Sequence, residues 1–233
     1  MLRILQAAAI ILAVSTSSMA ADSLEADSER FGWSGGYAGA YAGWLGQSIG
    51  VTDVDGAAFP PFQLVDINAS NFNGGVLAGW NWQSGNIVYG VEGDFGFGGS
   101  GSSLVDALNL DETLEWKTSW TASIRGRVGM AKDNFLFFGT GGVAFAGANF
   151  GYLNMDDSRT IVEQDGRGSK TFTGYVIGGG VDWAVTSKIV TRLEYLHYGF
   201  GGATKPITPP DTFAPVGYSP SMDSVRAAVI VKF

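Results

Sequence analysis

The sequence predicts an all-β fold, an eight-stranded antiparallel up-and-down barrel that crosses a membrane, on three observations. Glycine occurs 35 times in 233 residues, about double the usual share of roughly 7%. With aromatics at 13%, this favours many strands with close backbone approach over a helical bundle. Beyond the first 20 residues no stretch approaches the ~18 consecutive apolar residues of a spanning helix. Several segments of about ten residues alternate apolar with polar side chains at period two. Hydrocarbon leaves no partner for a bare backbone N–H or C=O, so a chain without spanning helices crosses as a closed barrel.

The N-terminal stretch MLRILQAAAIILAVSTSSMAAD carries Arg3, an apolar run from Ile4 to Val14, and the small-residue cleavage pattern Ser18-Met19-Ala20. It reads as a secretory signal peptide, residues 1–20, too short to span; the alternative is an uncleaved amphipathic anchor. Its removal takes away Arg3 and no acid, leaving 13 basic against 22 acidic residues and a net charge of −9. That balance excludes nucleic acid as a partner. Export permits disulfides, but the chain has no cysteine, so other interactions must hold the domain. Residues 21–32, with four acids between Ala21 and Arg30, read as a disordered periplasmic lead-in, and 33–233 as the barrel.

Strands follow in order. GGYAGAYAGWLG (35–46) is the first. NGGVLAGWNWQ (73–83) sets Val76, Ala78, Trp80 and Trp82 against Asn73, Leu77 and Asn81. After the turn SGN, IVYGVEGDFGF (87–97) sets Ile87, Tyr89, Val91, Phe95 and Phe97 against Val88, Glu92 and Asp94. EWKTSWTASIRGRVGM (115–130) sets Trp116, Trp120, Ala122, Ile124, Val128 and Met130 against Lys117, Ser119, Ser123, Arg125 and Arg127. The turn AKDN leads into FLFFGTGGVAFAG (135–147), apolar or small on both faces, which pattern alone does not orient. TFTGYVIGGGVDWAV (171–185) sets Tyr175, Ile177, Val181 and Trp183 against Val176 and Asp182. Across TSK, IVTRLEYLHYG (189–199) sets Ile189, Leu193 and Tyr195 against Arg192 and Glu194. DSVRAAVIVKF (223–233) sets Val225, Ala227, Val229, Val231 and Phe233 against Ser224, Arg226, Ala228, Ile230 and Lys232. A buried parallel strand would be apolar on both faces; here one face needs an apolar cover, and lipid supplies it. Connections alternate between short turns and long loops at 47–71, 98–114, 148–170 and 200–222, as in outer-membrane barrels.

Apolar-face aromatics fall at two depths. Trp82, Tyr89, Trp183 and Phe233 lie near the short turns; Phe95, Phe97, Trp116, Tyr175 and Tyr195 lie near the long loops. These are the expected interfacial girdles. Phe233 then belongs to the lower girdle, so the chain stops where the membrane does.

The inward faces carry Glu92, Asp94, Lys117, Arg125, Arg127, Asp182, Arg192, Glu194, Arg226 and Lys232. An eight-stranded barrel is only wide enough for side chains to fill. Paired charges would therefore form a polar core that plugs it, each unpaired member being costly. The functional alternative is a narrow ion path through a rearranging salt-bridge cluster.

No motif demands a cofactor, a metal or catalysis. The single histidine, His197, lacks a nucleophile elbow beside it and reads as interfacial. GTGGVAFAG lacks the Gly-Lys-Ser/Thr ending of a phosphate loop. DVDG (53–56) starts like a calcium loop without the ligands that should follow. The acids Asp53, Asp55, Asp66, Asp106, Asp111 and Glu112 in the first two loops read as a solvated surface, or as divalent-cation bridges to lipopolysaccharide. The last loop, GGATKPITPPDTFAPVGYSPS, is proline-rich and reads as extended or mobile.

The segments FGWSGGYAGAYAGW, YGVEGDFGF, TASIRGRVGM, GTGGVAFAG, GGGVDWAV, RLEYLHYGFG and VRAAVIVKF, in this order, resemble the small outer-membrane immunogenic proteins of alphaproteobacteria, a porin-like group related to the OmpA-type eight-stranded barrel. Asp182 stands where that family often has glutamate. The resemblance implies an outer-membrane location and a terminal aromatic strand, Val229, Val231 and Phe233, read by the barrel-assembly machinery. Partners are then outer-membrane lipid, lipopolysaccharide and that machinery. The functional expectation is a structural, surface-exposed envelope protein. The alternatives are a low-conductance porin and a soluble exported barrel that binds an apolar ligand. The last conflicts with charges on the face that a narrow barrel packs inside and aromatics on the opposite one.

Overall fold

The structure is a computed structural model and describes residues 31–53, 65–98, 101–105, 112–155, 162–201, 203–206 and 215–233. The signal peptide and residues 21–30 lie outside it, as does the DVDG stretch beyond Asp53. The strands are β1 (Gly35–Asp53), β2 (Val65–Ser84), β3 (Ile87–Phe97), β4 (Gly101–Val105), β5 (Glu112–Lys132), β6 (Phe135–Met155), β7 (Val162–Ala184), β8 (Ile189–Phe200), β9 (Ala203–Pro206) and β10 (Pro215–Lys232). They pair in the order β1-β2-β3-β5-β6-β7-β8-β10, and β10 pairs back with β1. The result is a closed antiparallel barrel of eight staves. β4 and β9 resume the lines of β3 and β8 alongside β5 and β10, after Gly98 (φ +91°) and Gly201.

Register fixes the barrel's dimensions. Stepping from Gly46 to Asp223, His197, Ile177, Gly141, Gly126, Val91 and Trp80 returns to β1 at Gly36, a shear of 10 residues. For eight strands about 4.8 Å apart, rising about 3.3 Å per residue, that shear implies a tilt of about 40° and a backbone radius of about 8 Å. Allowing for the tilt, Phe72, Phe97, Trp120, Phe145 and Tyr175 share one height to within about a residue. Ten residues down their strands lie Trp82, Ile87, Met130, Phe135 and Val185, level with Phe233 on β10. The two levels are therefore about 25 Å apart, the height of the apolar band of an outer-membrane barrel.

Burial alternates as the sequence predicts. Trp80, Trp82, Tyr89, Val91, Phe97, Ile124, Val128, Leu193, Val225, Val229 and Phe233 are exposed, while Leu77, Val88, Glu92, Arg125, Asp182, Glu194 and Arg226 are buried. The wall 135–147 also acquires an orientation. Leu136, Phe138, Thr140 and Ala144 turn inward, and Phe135, Phe137 and Val143 face out.

The short turns are Gly85–Asn86, Asp133–Asn134 and residues 185–188. Gly85 and Asp133 take φ of 60° and 53°, and Thr186 Oγ1 accepts from the Ile189 N–H at 2.9 Å. The long connections are shorter than their sequence suggests, because most of their residues continue as strand. β6 runs ten residues past Phe145, to Met155. Six staves contain 18 to 23 residues where about 9–11 would span the membrane. Above the upper aromatic level the β2–β3 ladder ends at Gly74–Phe97 and the β7–β8 ladder at Gly174–Phe200. The wall there continues as two four-stranded lips, β2-β1-β10-β9 and β4-β5-β6-β7.

Candidate functional site: the charged lumen and its seals

At mid-height, inward positions on β3, β5, β7, β8 and β10 converge. Register sets Glu92 opposite Arg125, Asp182 opposite Arg192 and Glu194 opposite Arg226. An antiparallel neighbour on the same face lies within side-chain reach. Arg127 reaches Asp182 Oδ2 at 2.7 Å, and Arg192 holds Asp182 through Nε at 2.6 Å and Nη2 at 3.1 Å. Arg192 Nη1 also donates to Glu92 Oε2 at 2.6 Å. Glu92 pairs in turn with Arg125, whose Nη1 meets Glu194 Oε1 at 2.8 Å. Arg226 closes the series on Glu194 at 2.7 Å and Asp94 at 3.1 Å, and the Ser123 hydroxyl donates to Asp94. Four arginines thus alternate with four carboxylates, and all eight are buried.

Room for this cluster comes from the walls. The Tyr37 hydroxyl donates to Glu92 at 2.8 Å and accepts from Arg127 at 3.2 Å. Its ring lies against Gly79, where a Cβ would fall 2.4 Å from the hydroxyl oxygen. The Arg226 guanidinium lies 4.2 Å over the Tyr41 ring, and Arg127 4.0 Å over Phe138. Among the described residues Arg125 Nε and Arg226 Nη2 are buried without a hydrogen-bond partner, and the surrounding carboxylates offset their desolvation.

Apolar layers close both sides. Toward the short turns lie Trp33, Tyr37, Leu77, Val88, Leu136, Val190 and Ile230; toward the long loops lie Leu45, Ala146, Val176, Leu196, Tyr198, Phe200 and Met222. A void of about 20 Å³ at the turn end, bordered by Trp33, Asn81, Asp182 and Lys232, has room for about one water molecule. Trp33 is 3% exposed. Gln83 Oε1 accepts from its backbone N–H at 2.7 Å, and Phe31 packs edge-on against its ring.

Most sequence-predicted site residues meet here. Lys117 does not: it is exposed and faces outward. The cause is a bulge. Thr118 pairs with Ala148 and Trp120 with Gly147, leaving Ser119 as the extra residue. The alternation inverts there, so Thr118 is buried and its hydroxyl donates to Gln47 Oε1 at 2.9 Å. Lys232, half-buried, sits at the turn-end mouth beside the Phe31 ring, outside the network. Val229, Val231 and Phe233 face out, and the Phe233 N–H donates to Gly36 O at 3.0 Å. His197 also faces out, with Nδ1 at 2.9 Å from Asp223. Trp33, Tyr37 and Tyr41 belong to the site but carry no pattern that marks them: FGWSGGYAGAYAGW (31–44) intersperses small and aromatic residues without a charge to set its face.

A closed barrel with a 25 Å lipid-facing band, aromatic rims and a packed charged interior defines an integral β-barrel membrane protein. The chain belongs to the outer-membrane protein β-barrel domain family, which it matches over residues 7–219. It is 31% identical over 212 residues to the 31 kDa outer-membrane immunogenic protein of Brucella melitensis, covering 83% of this chain and 85% of that one. It is 39% identical over 132 residues to the 22 kDa outer membrane protein of Rhizobium leguminosarum bv. viciae, covering 57% and 54%. The solved structure of the outer membrane protein OprG from Pseudomonas aeruginosa shares the fold at a TM-score of 0.52 and 13% identity, over 88% of this chain and all of that one.

Proposed function

We propose that the protein is a structural, surface-exposed component of the outer membrane whose lumen is permanently closed. The observation that carries this reading is the buried, ion-paired charge network packed between two apolar layers and reached at the turn end only by a void the size of about one water molecule. An ion entering from either side would have to cross packed apolar side chains and then separate buried pairs, each costly to break. The long staves and their connections would present the surface to the exterior, as the "immunogenic" names of the relatives suggest. The signal peptide would be cleaved after Ala20, outer-membrane lipid and lipopolysaccharide would surround the wall, and the assembly machinery would read Val229, Val231 and Phe233. No enzymatic role is assigned: the lumen carboxylates are held by arginines, and His197 is held by Asp223 on the lipid-facing wall.

Single-channel recording of the refolded chain in planar bilayers, with Arg125→Ala alongside, tests the reading. The expected result is no steady conductance in the parent protein. Reproducible openings whose size changes in Arg125→Ala would put the cluster on a permeation path and establish a porin instead.

A further inference from the structure

The upper aromatic ring is incomplete. Six strands contribute an outward aromatic within about a residue of that height: Phe72, Phe97, Trp120, Phe145, Tyr175 and, paired with Phe72 and 55% exposed, Trp44 of β1. The register puts Gly199 of β8, Asp223 of β10 and Gly46 of β1 at the same level. Two glycines thus flank a carboxylate on the wall that faces lipid headgroups. A Cβ at Gly46 would have no neighbour closer than 3.7 Å, and Gly199 is covered by the Tyr175 ring, 2.5 Å from where its Cβ would be. The gap is a notch on β10, open over Gly46 and bordered by the Tyr175 ring on one side and by Trp44 on the other.

Its polar groups are organised. The Tyr195 hydroxyl donates to Asp223 Oδ1 at 2.6 Å, and His197 Nδ1 approaches the same oxygen at 2.9 Å. A carboxylate only accepts, so Nδ1 carries the proton. Both donors meet Oδ1, and among the described residues no donor is seen at Oδ2, which can accept from outside. The Asp223 side chain is 54% exposed and that of His197 36%. Among the described residues, no lysine or arginine faces outward at this height on β8, β10 or β1. A phosphate alone would meet a carboxylate with no cation to offset it. A protonated amine would find its counter-ion there, among the aromatic rings of Tyr175, Tyr195 and Trp44 on the neighbouring outward positions.

We propose that this notch seats the ammonium group of an aminated outer-leaflet lipid, with Asp223 as its counter-ion and Tyr195 and His197 holding the carboxylate in place. The single histidine of the chain supplies the readout. The untagged protein, refolded in detergent at pH 8, is titrated with short-chain phosphatidylethanolamine and separately with phosphatidylglycerol, while the His197 ring signal is followed by NMR. The two lipids share the phosphate and differ in the amine. The expected result is a saturable shift with phosphatidylethanolamine, at least tenfold weaker with phosphatidylglycerol and at least tenfold weaker in Asp223→Asn. Because Asp223 lies on the outer wall, that variant should retain heat-modifiable migration. Tyr195→Phe, which keeps the ring and the carboxylate, should weaken the response only partly. Equal responses to the two lipids, no response to either, or an undiminished response in Asp223→Asn would overturn the proposal.

Discussion

Arg226 and Lys117 carry the same charge in opposite settings, and their substitution separates lumen chemistry from surface chemistry. Arg226 is 1% exposed and bridges Glu194 and Asp94; Arg226→Met would leave part of that negative charge buried without its partner. The expected cost is about 3–5 kcal/mol, read as a lower urea midpoint for the barrel refolded in lipid vesicles. Lys117→Met should change stability by less than about 0.5 kcal/mol. Equal midpoints for the two variants would mean that the buried network does not stabilise the fold. Glycine makes a similar contrast. A methyl at Gly79 would fall 2.4 Å from the Tyr37 hydroxyl and 2.6 Å from the Val91 carbonyl oxygen, whereas at Gly126 the nearest atom is 3.9 Å away. Gly79→Ala should therefore cost about 1–3 kcal/mol and Gly126→Ala should be nearly neutral. The same unfolding assay checks both, and a neutral Gly79→Ala would show that Tyr37 can leave Glu92 freely.

At the scale of the element, period-two alternation was legible wherever one face carried charges, as in β3 and β8. It was silent where neither face did, as in β6. Orientation there comes from the neighbours: Arg125 and Arg127 of β5 and Asp182 of β7 turn inward, and the ladders carry Gly142, Thr140 and Leu136 with them. The bulge was illegible for a different reason, because one extra residue changes no composition and inverts every face beyond it. Strand ends are illegible for a third reason. Polar, glycine-rich sequence above the girdle reads as loop, although the backbone there continues its ladders in water. The bulge yields its own test. Thr118 and Trp120 already pair with consecutive residues of β6, so deletion of Ser119 should leave Thr118 inward and Lys117 outward. Deletion of Thr121 should flip the strand above it. With Lys117→Cys as reporter, maleimide labelling of the folded barrel should persist in the Ser119 deletion and fall sharply in the Thr121 deletion. Loss of labelling in both would mean that the bulge is needed to present Lys117.

For the whole molecule, eight strands and a shear of 10 set the lumen, the tilt and the lipid-facing height together. The radius of about 8 Å forces side chains to fill the interior, which explains why arginines extend across it toward carboxylates on other strands. The tilt shortens ten residues of strand to about 25 Å of height, and the two aromatic levels lie ten residues apart. Lower-level rings lock this spacing to the barrel's closure: Phe233 packs where Gly36 leaves space beside Trp80, and its N–H bonds β1. Trp82 stacks on Tyr89 at 5.8 Å and Phe135 on Trp183 at 6.1 Å. The rim is therefore tied to a rigid wall, and a thicker membrane must thin around the barrel or tilt it. Such mismatch costs fractions of a kcal/mol per Å. Refolding yield, measured by heat-modifiable migration across a series of phosphatidylcholines of increasing chain length, should peak for hydrocarbon cores near 25 Å and decline in thicker ones. Truncation of Phe233 should lower the yield at every thickness without moving the peak, because closure would suffer while the spacing of the remaining rings would not. A peak that moved with Phe233 would instead make that single ring the lower boundary of the membrane.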